Sequence, residues 1–165
     1  MPAPVIVAEY DPRWPTRFAR LRDQLAAALG PLAVRIEHVG STAVPGLAAK
    51  PIIDLDVVIA TADDLPAVIE RLRLLGYDHE GDLGVPGREA FSAPPGSPPH
   101  HLYVCPAGSR ALARHLALRD RLRADPVAAA AYADLKRALA ARFRHDRVAY
   151  TEGKTAFIDS LLAVP

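Results

Sequence analysis

Only one cysteine, Cys105, stands among the 165 residues, so neither a disulfide framework nor a multi-cysteine zinc site is available. Aromatic residues are sparse at 6%, with a single tryptophan. No apolar run approaches the roughly 20 residues that a bilayer crossing requires. The opening Met1-Pro-Ala-Pro-Val5 has neither a basic n-region nor a long apolar stretch, so a soluble, cytoplasmic protein without a membrane partner is expected. A basic excess is missing too. Lys and Arg number 20 against 19 Asp and Glu, a formal charge of +1, whereas a chain that rides a phosphate backbone carries a strong surplus. With no stripe of interleaved aromatic and basic residues either, nucleic acid ranks last among partners. Lysine itself is scarce. Three lysines against seventeen arginines, with abundant alanine, read as the codon bias of a GC-rich genome.

The residues present describe an ordinary globular domain. Half are hydrophobic and 24% are charged, and the length suits one domain, residues 1–165, with a sizeable core. Val5-Ile-Val7 reads as a short strand. After Pro15, the residues Phe18, Leu21, Leu25 and Leu29 recur at helical spacing as far as Gly30-Pro31. Val34 to Val39 alternates as a strand does, Ser41 to Lys50 reads as a loop around a short helix, and Pro51 to Ala60 is the clearest strand. Asp63 or Asp64 should cap a helix through Leu65, Val68, Leu72 and Leu75. Residues 77 to 105 form two or three strands, with Arg88 to Phe91 and His101 to Cys105 the main ones, joined by the stiff Ala93–Pro99 loop. Helices follow from Ser109, from Asp125-Pro126 and over Lys154 to Leu162. The pattern predicts an α/β (α+β) architecture. A small mixed sheet with helices on one face spans 1–107, and a helical C-terminal part spans 108–165.

Chemistry concentrates in two neighbouring segments. In His38-Val-Gly-Ser-Thr42, Gly40 and Ser41 at a strand end offer free backbone N–H groups and a hydroxyl, which suits phosphate. In Asp54-Leu-Asp56, alternate strand residues share a face, so two carboxylates project side by side from an otherwise apolar strand. Burying such a pair unpaired costs several kcal/mol each (order of magnitude), and a divalent cation such as Mg²⁺ relieves it. Lys50 places a point charge directly before this strand. His38 is suited to orienting the Gly-Ser turn, and Trp14 and Cys105 read as packing residues.

Ser41 and Asp54 are separated by twelve residues, a spacing that resembles the Gly-Ser and Asp-x-Asp signature of the polymerase-β-type nucleotidyltransferase superfamily. More closely, His38-Val-Gly-Ser-Thr-Ala-Val-Pro-Gly-Leu-Ala-Ala-Lys-Pro-Ile-Ile-Asp-Leu-Asp-Val57 is similar to the GrpB family of bacterial proteins, which also occurs fused to dephospho-CoA kinase. Tyr10-Asp-Pro-Arg-Trp14, His100-His-Leu102, Leu118-Arg-Asp120 and Tyr150-Thr-Glu-Gly-Lys154 extend the likeness across nearly the whole chain. The resemblance implies a nucleotidyltransferase-like fold in which Asp54 and Asp56 hold Mg²⁺ while Gly40 and Ser41 bind the terminal phosphates of a nucleoside triphosphate. A third acid on a neighbouring strand would complete the metal site. This sequence has none at His100-His-Leu-Tyr103. His101 could take that place as a neutral nitrogen ligand or general base, Glu89 is the other candidate, and Tyr103 lies on the face of His101. Lys154 could reach a triphosphate or be a solvated surface lysine. Arg119, beside Asp120, forms an ion pair or meets phosphate.

The function expected is Mg²⁺-dependent transfer of a nucleotidyl group from a nucleoside triphosphate to a small-molecule acceptor, with catalysis by Asp54, Asp56 and His101. Two alternatives remain. One is a catalytically degenerate module that binds a nucleotide or a coenzyme-A-like ligand. The other is a metal-dependent phosphohydrolase.

Overall fold

The run of Ile, Leu and Val around the two acids forms strand β2, Ile53–Ile59, an interior strand of a five-stranded sheet in the computed structural model, which describes residues 1–165. Strand β1, Arg35–Val39, pairs antiparallel along one side of it, and β5, His100–Pro106, pairs parallel along the other. Beyond β5 lie β4, Glu89–Ser92, and then β3, Asp78–Gly81, each antiparallel to its neighbour. The order is β1-β2-β5-β4-β3, a mixed sheet. Its register sets Asp54 opposite Val39 and His101, and Asp56 opposite Glu37 and Tyr103.

Because side chains alternate along a strand, the two faces carry different chemistry. Ile53, Leu55, Val57 and Ile59 of β2, with Leu102 and Val104 of β5, face helices α1 (Trp14–Leu29) and α2 (Leu65–Leu74) and form the main core. Leu21, Leu25 and Leu29 of α1 and Val68 and Leu72 of α2 fill it, as their helical spacing predicts. At about 25 cal/mol per Å² of apolar surface, each fully buried Leu or Val side chain contributes roughly 1.5–3 kcal/mol. The other face holds Asp54, Asp56 and Val58. Helix α3, Arg110–Ala124, lies on that side, with Leu112 packed on Val58 and Cys105.

Helix α4, Pro126–Arg142, turns back from α3 at Asp125, whose carboxylate accepts the Ala128 N–H at 3.0 Å. Tyr132 and Ala133 of α4 pack with Leu122 against Val44, Leu47 and Ala48, so the C-terminal helices brace the loop between β1 and β2. Helices α5, Arg147–Glu152, and α6, Thr155–Ala163, complete the chain. No helix is long and apolar enough to cross a membrane.

Several local expectations are corrected. Val5-Ile-Val7 forms no strand. The Val5 N–H donates to Arg144 O at 2.7 Å and Ala8 makes an isolated bridge to Ala49, because Val5 is drawn into packing with Leu139 and Tyr150. Neither Asp63 nor Asp64 caps α2 through its side chain, since a single 3₁₀ turn, Ala62–Asp64, leads directly into the helix. The expected C-terminal helix begins at Thr155 and is preceded by α5, which Asp146 caps at 3.0 Å to Ala149 N.

Candidate functional site

Gly40 ends β1 with φ +73° and ψ −175°, a conformation essentially restricted to glycine. A β-carbon there would fall 2.2 Å from Asp54 Oδ2, so the turn can press against the acidic strand only because residue 40 has no side chain. The following 3₁₀ turn, Ser41–Ala43, is fastened from behind. His38 Nε2 meets Thr42 Oγ1 at 2.9 Å, and the His38 ring stacks on Phe18 with centroids 4.6 Å apart. Burial pushes the His38 imidazole down to about 4, so it is neutral near pH 7. It faces α1, away from the two acids, and orients the turn without entering the site.

Asp54 and Asp56 share a face, as the period of two requires, but their surroundings differ. Asp54 is partly exposed, and its Oδ1 accepts a hydrogen bond from His101 Nδ1 at 2.9 Å. Asp56 is wholly buried, and its Oδ2 accepts from His115 Nδ1 at 2.6 Å while Oδ1 has no partner. Burial raises the Asp56 carboxyl above the usual carboxylate range, and the His115 hydrogen bond opposes that rise. Asp54 Oδ2 and Asp56 Oδ1 are therefore the oxygens left over. No third His, Cys, Asp or Glu converges with them closely enough to hold an ion unaided. Two carboxylate oxygens, one of them orphaned, fit a hard cation such as Mg²⁺ that takes its other ligands from water and phosphate.

Glu89 does not supply the third acid. Its β4 register pairs it with Val104, on the opposite face from Asp54, and its carboxylate is tied to His79 Nε2 at 2.7 Å. Arg119 proves to be an ion-pairing residue. Its Nη1 donates to Glu37 Oε2 at 2.7 Å and to His38 O at 3.2 Å, and its Nε donates to Asp120 Oδ1 at 2.9 Å.

Beside the acids is a cleft of about 260 Å³ whose walls include Ser41, Asp54, His101 and Tyr103. Lys50, Lys136 and Lys154, every lysine in the chain, line it as well. Lys50 and Lys154 hold their ammonium groups 5.1 and 4.8 Å from the ring centroid of Tyr150, itself buried. Lys136 is only 2% exposed, donates to Ala48 O and lies 4.7 Å from the Tyr132 ring centroid. Desolvation, reinforced by mutual repulsion, pushes Lys136 down to about 7 and Lys154 to about 8, and it lowers Lys50 as well. In a half-dry pocket that crowds cations and lowers their affinity for protons, an anion would relieve the repulsion. The scarcity of lysine thus has a spatial meaning that composition concealed.

Of the residues singled out in the sequence, Ser41, Lys50, Asp54, His101, Tyr103 and Lys154 meet in this cleft. Gly40 forms the adjoining wall and Asp56 lies beneath. Sequence reading missed Lys136, hidden in an alanine- and arginine-rich helix, and His115, one among six histidines. Tyr150 stood in a quoted motif without a role.

The sequence model of the family described as GrpB protein matches residues 4–163. A Bacillus subtilis (strain 168) relative, UPF0157 protein YqkA, is 35% identical over 149 residues, covering 90% of this chain and 43% of its own length. The chain thus spans less than half of that relative. The crystal structure of GrpB from Enterococcus faecalis superposes with a TM-score of 0.87 at 33% identity, covering 96% of this chain and 95% of that one. The Cid1 poly(U) polymerase bound to MgATP superposes with a TM-score of 0.53 at 13% identity, covering 79% of this chain and 45% of that one. This last likeness is one of fold alone.

Proposed function

This chain belongs to the GrpB family, and on that premise we propose that it is a divalent-cation-dependent nucleotidyltransferase acting on a nucleoside triphosphate and a small-molecule acceptor. The observation that carries the reading is the convergence of all three lysines on the cleft that also holds Asp54. Lys50, Lys136 and Lys154 neutralise the triphosphate, and the Ser41 hydroxyl and the turn after Gly40 orient it. The fold, shared with a polymerase that binds MgATP, supports the same assignment.

Asp54 Oδ2 and Asp56 Oδ1 would hold Mg²⁺, which when bound offsets phosphate charge and favours attack at the α-phosphorus. His101 keeps Nδ1–H on Asp54, leaving Nε2 able to accept the proton of the attacking hydroxyl or amine. The acceptor forms its bond to the α-phosphorus as the bond to the bridging oxygen of the β-phosphate breaks, and pyrophosphate departs along the lysines.

Release of pyrophosphate from ATP, CTP, GTP or UTP, measured with Mg²⁺ and a panel of small alcohols and amines, tests the proposal. Asp54→Asn should abolish it. Absence of release across the panel overturns the transferase reading. A second reading, a module that binds triphosphate without turnover, draws on the β5 register, which sets His101 and Tyr103 rather than a carboxylate opposite the two acids. Tight binding insensitive to removal of Mg²⁺ would favour it. Phosphate released to water alone would indicate a hydrolase.

A further inference from the structure

Arg88 keeps one donor without a protein partner, although its charge lies close enough to Asp56 to favour that carboxylate. Its Nε is buried without a hydrogen-bond partner, and its guanidinium enters no ion pair, stacking instead 4.4 Å from the Tyr103 ring centroid. Arg119, half-buried on α3, shows the contrast, with Glu37, Asp120 and a backbone carbonyl accepting from its Nε and Nη1. Buried donors of charged groups are seldom left unpaired, so an open donor that borders a cleft is a candidate contact for a ligand.

Arg88 lines a second cleft of about 170 Å³ with Gly40, Asp54, Tyr103, His115 and Leu118. This cleft shares only Asp54 and Tyr103 with the lysine-lined one, so the two meet at the carboxylate. A guanidinium held over an aromatic ring keeps its planar fork of N–H donors, which can bind phosphate or carboxylate through two parallel hydrogen bonds. We propose that the second cleft binds the acceptor through a single phosphate or carboxylate group seated on Arg88. The reactive hydroxyl or amine is then turned toward Asp54. Charge sets that orientation. Arg88 attracts the anion, and the neutral nucleophile takes the side of the cleft that Asp54 lines. At about 170 Å³ the cleft admits a small group or the tip of a larger molecule. The inference rests on the transferase reading for the word acceptor, but the anion subsite stands on Arg88 itself.

Titration of inorganic phosphate and, separately, acetate into the whole protein tests it, read by calorimetry and by the ¹⁵N-resolved Arg88 Nε–H resonance. The expected result is a saturable shift of that resonance by phosphate, acetate or both, and the responding anion identifies the class. The shift should persist in Lys154→Met. Calorimetric affinity at this subsite should fall about tenfold or more in Arg88→Ala and be partly retained in Arg88→Lys, which keeps the charge without the fork. Should Arg88→Ala unfold, the wild-type resonance and Arg88→Lys still decide. Phosphate binding that leaves Nε–H unmoved, or a shift abolished by Lys154→Met, overturns the subsite. So does no response to either anion. The triphosphate reading fails separately, if ATP binding is indifferent to Lys154→Met.

Discussion

Gly40 and Asp54 touch so closely that the missing side chain of one is the space occupied by the other, with an ideal β-carbon at 40 lying 2.2 Å from Asp54 Oδ2. The turn after β1 and the acidic strand are thereby fixed at a separation that no larger residue permits. Gly40→Ala should lose about 1–3 kcal/mol from backbone strain alone, with the clash in addition. Denaturant unfolding checks the first loss. Calorimetry with Mg·ATP should show weakened binding under conditions where the variant remains folded.

The three lysines repel one another across a partly dry cleft, so removing one trades binding for stability. Lys154→Met should hold or raise the melting temperature of the ligand-free protein while weakening ATP binding about tenfold, roughly 1.4 kcal/mol. A variant that melts lower with unchanged ATP affinity would mean that the ammonium serves packing alone.

The pH dependence follows from the same groups. Lys136 near 7 and Lys154 near 8 in the fold, against 10.5 ordinarily, mean that the unfolded chain binds more protons between about 7 and 10.5. Stability of the ligand-free protein should therefore rise with pH over that window. Polyphosphate reverses the sign by favouring the charged amines. Its binding takes up protons, and its affinity should fall as pH climbs through 7 and 8. Calorimetry in two buffers of different ionisation enthalpy measures the uptake.

Asp56 depends on His115 for its only hydrogen bond. His115→Ala should destabilise the protein by about 3 kcal/mol, since it leaves a buried carboxyl alone, and His115→Ala combined with Asp56→Ala should recover part of that loss. A double-mutant cycle by urea unfolding reads the coupling.

Cys105 is fully buried and its thiol is pushed up to about 12, so in the native protein it should resist thiol reagents and react only on unfolding. Reaction with a disulfide reagent, followed with and without denaturant, gives the contrast.

The central strand, α1, α2 and the paired acids were legible because each is a local pattern, a period of two or of 3.6 over contiguous residues. Asp54 and Asp56 share a face whatever surrounds β2. His101 could be nominated because it lies on a recognisable strand, although only the parallel register with β2 sets it opposite Asp54. Glu89 failed as a candidate for a related reason. One step of register decides which face a strand residue takes, and the β4 sequence alone does not fix that step.

By itself, the sequence determined the elements, the apolar strand, the glycine after β1 and the two acids on one side of β2, since these follow from spacing along a single stretch of backbone. Only the tertiary structure decided that Lys50, Lys136 and Lys154 share a cleft, that Asp56 is sealed against His115 while Asp54 stays open, and that Arg88 lies over the Tyr103 ring rather than in an ion pair. Those relations join groups tens of residues apart. They are set by how α3, α4 and α5 pack over the sheet face that bears the acids, and spacing along the chain does not encode that packing.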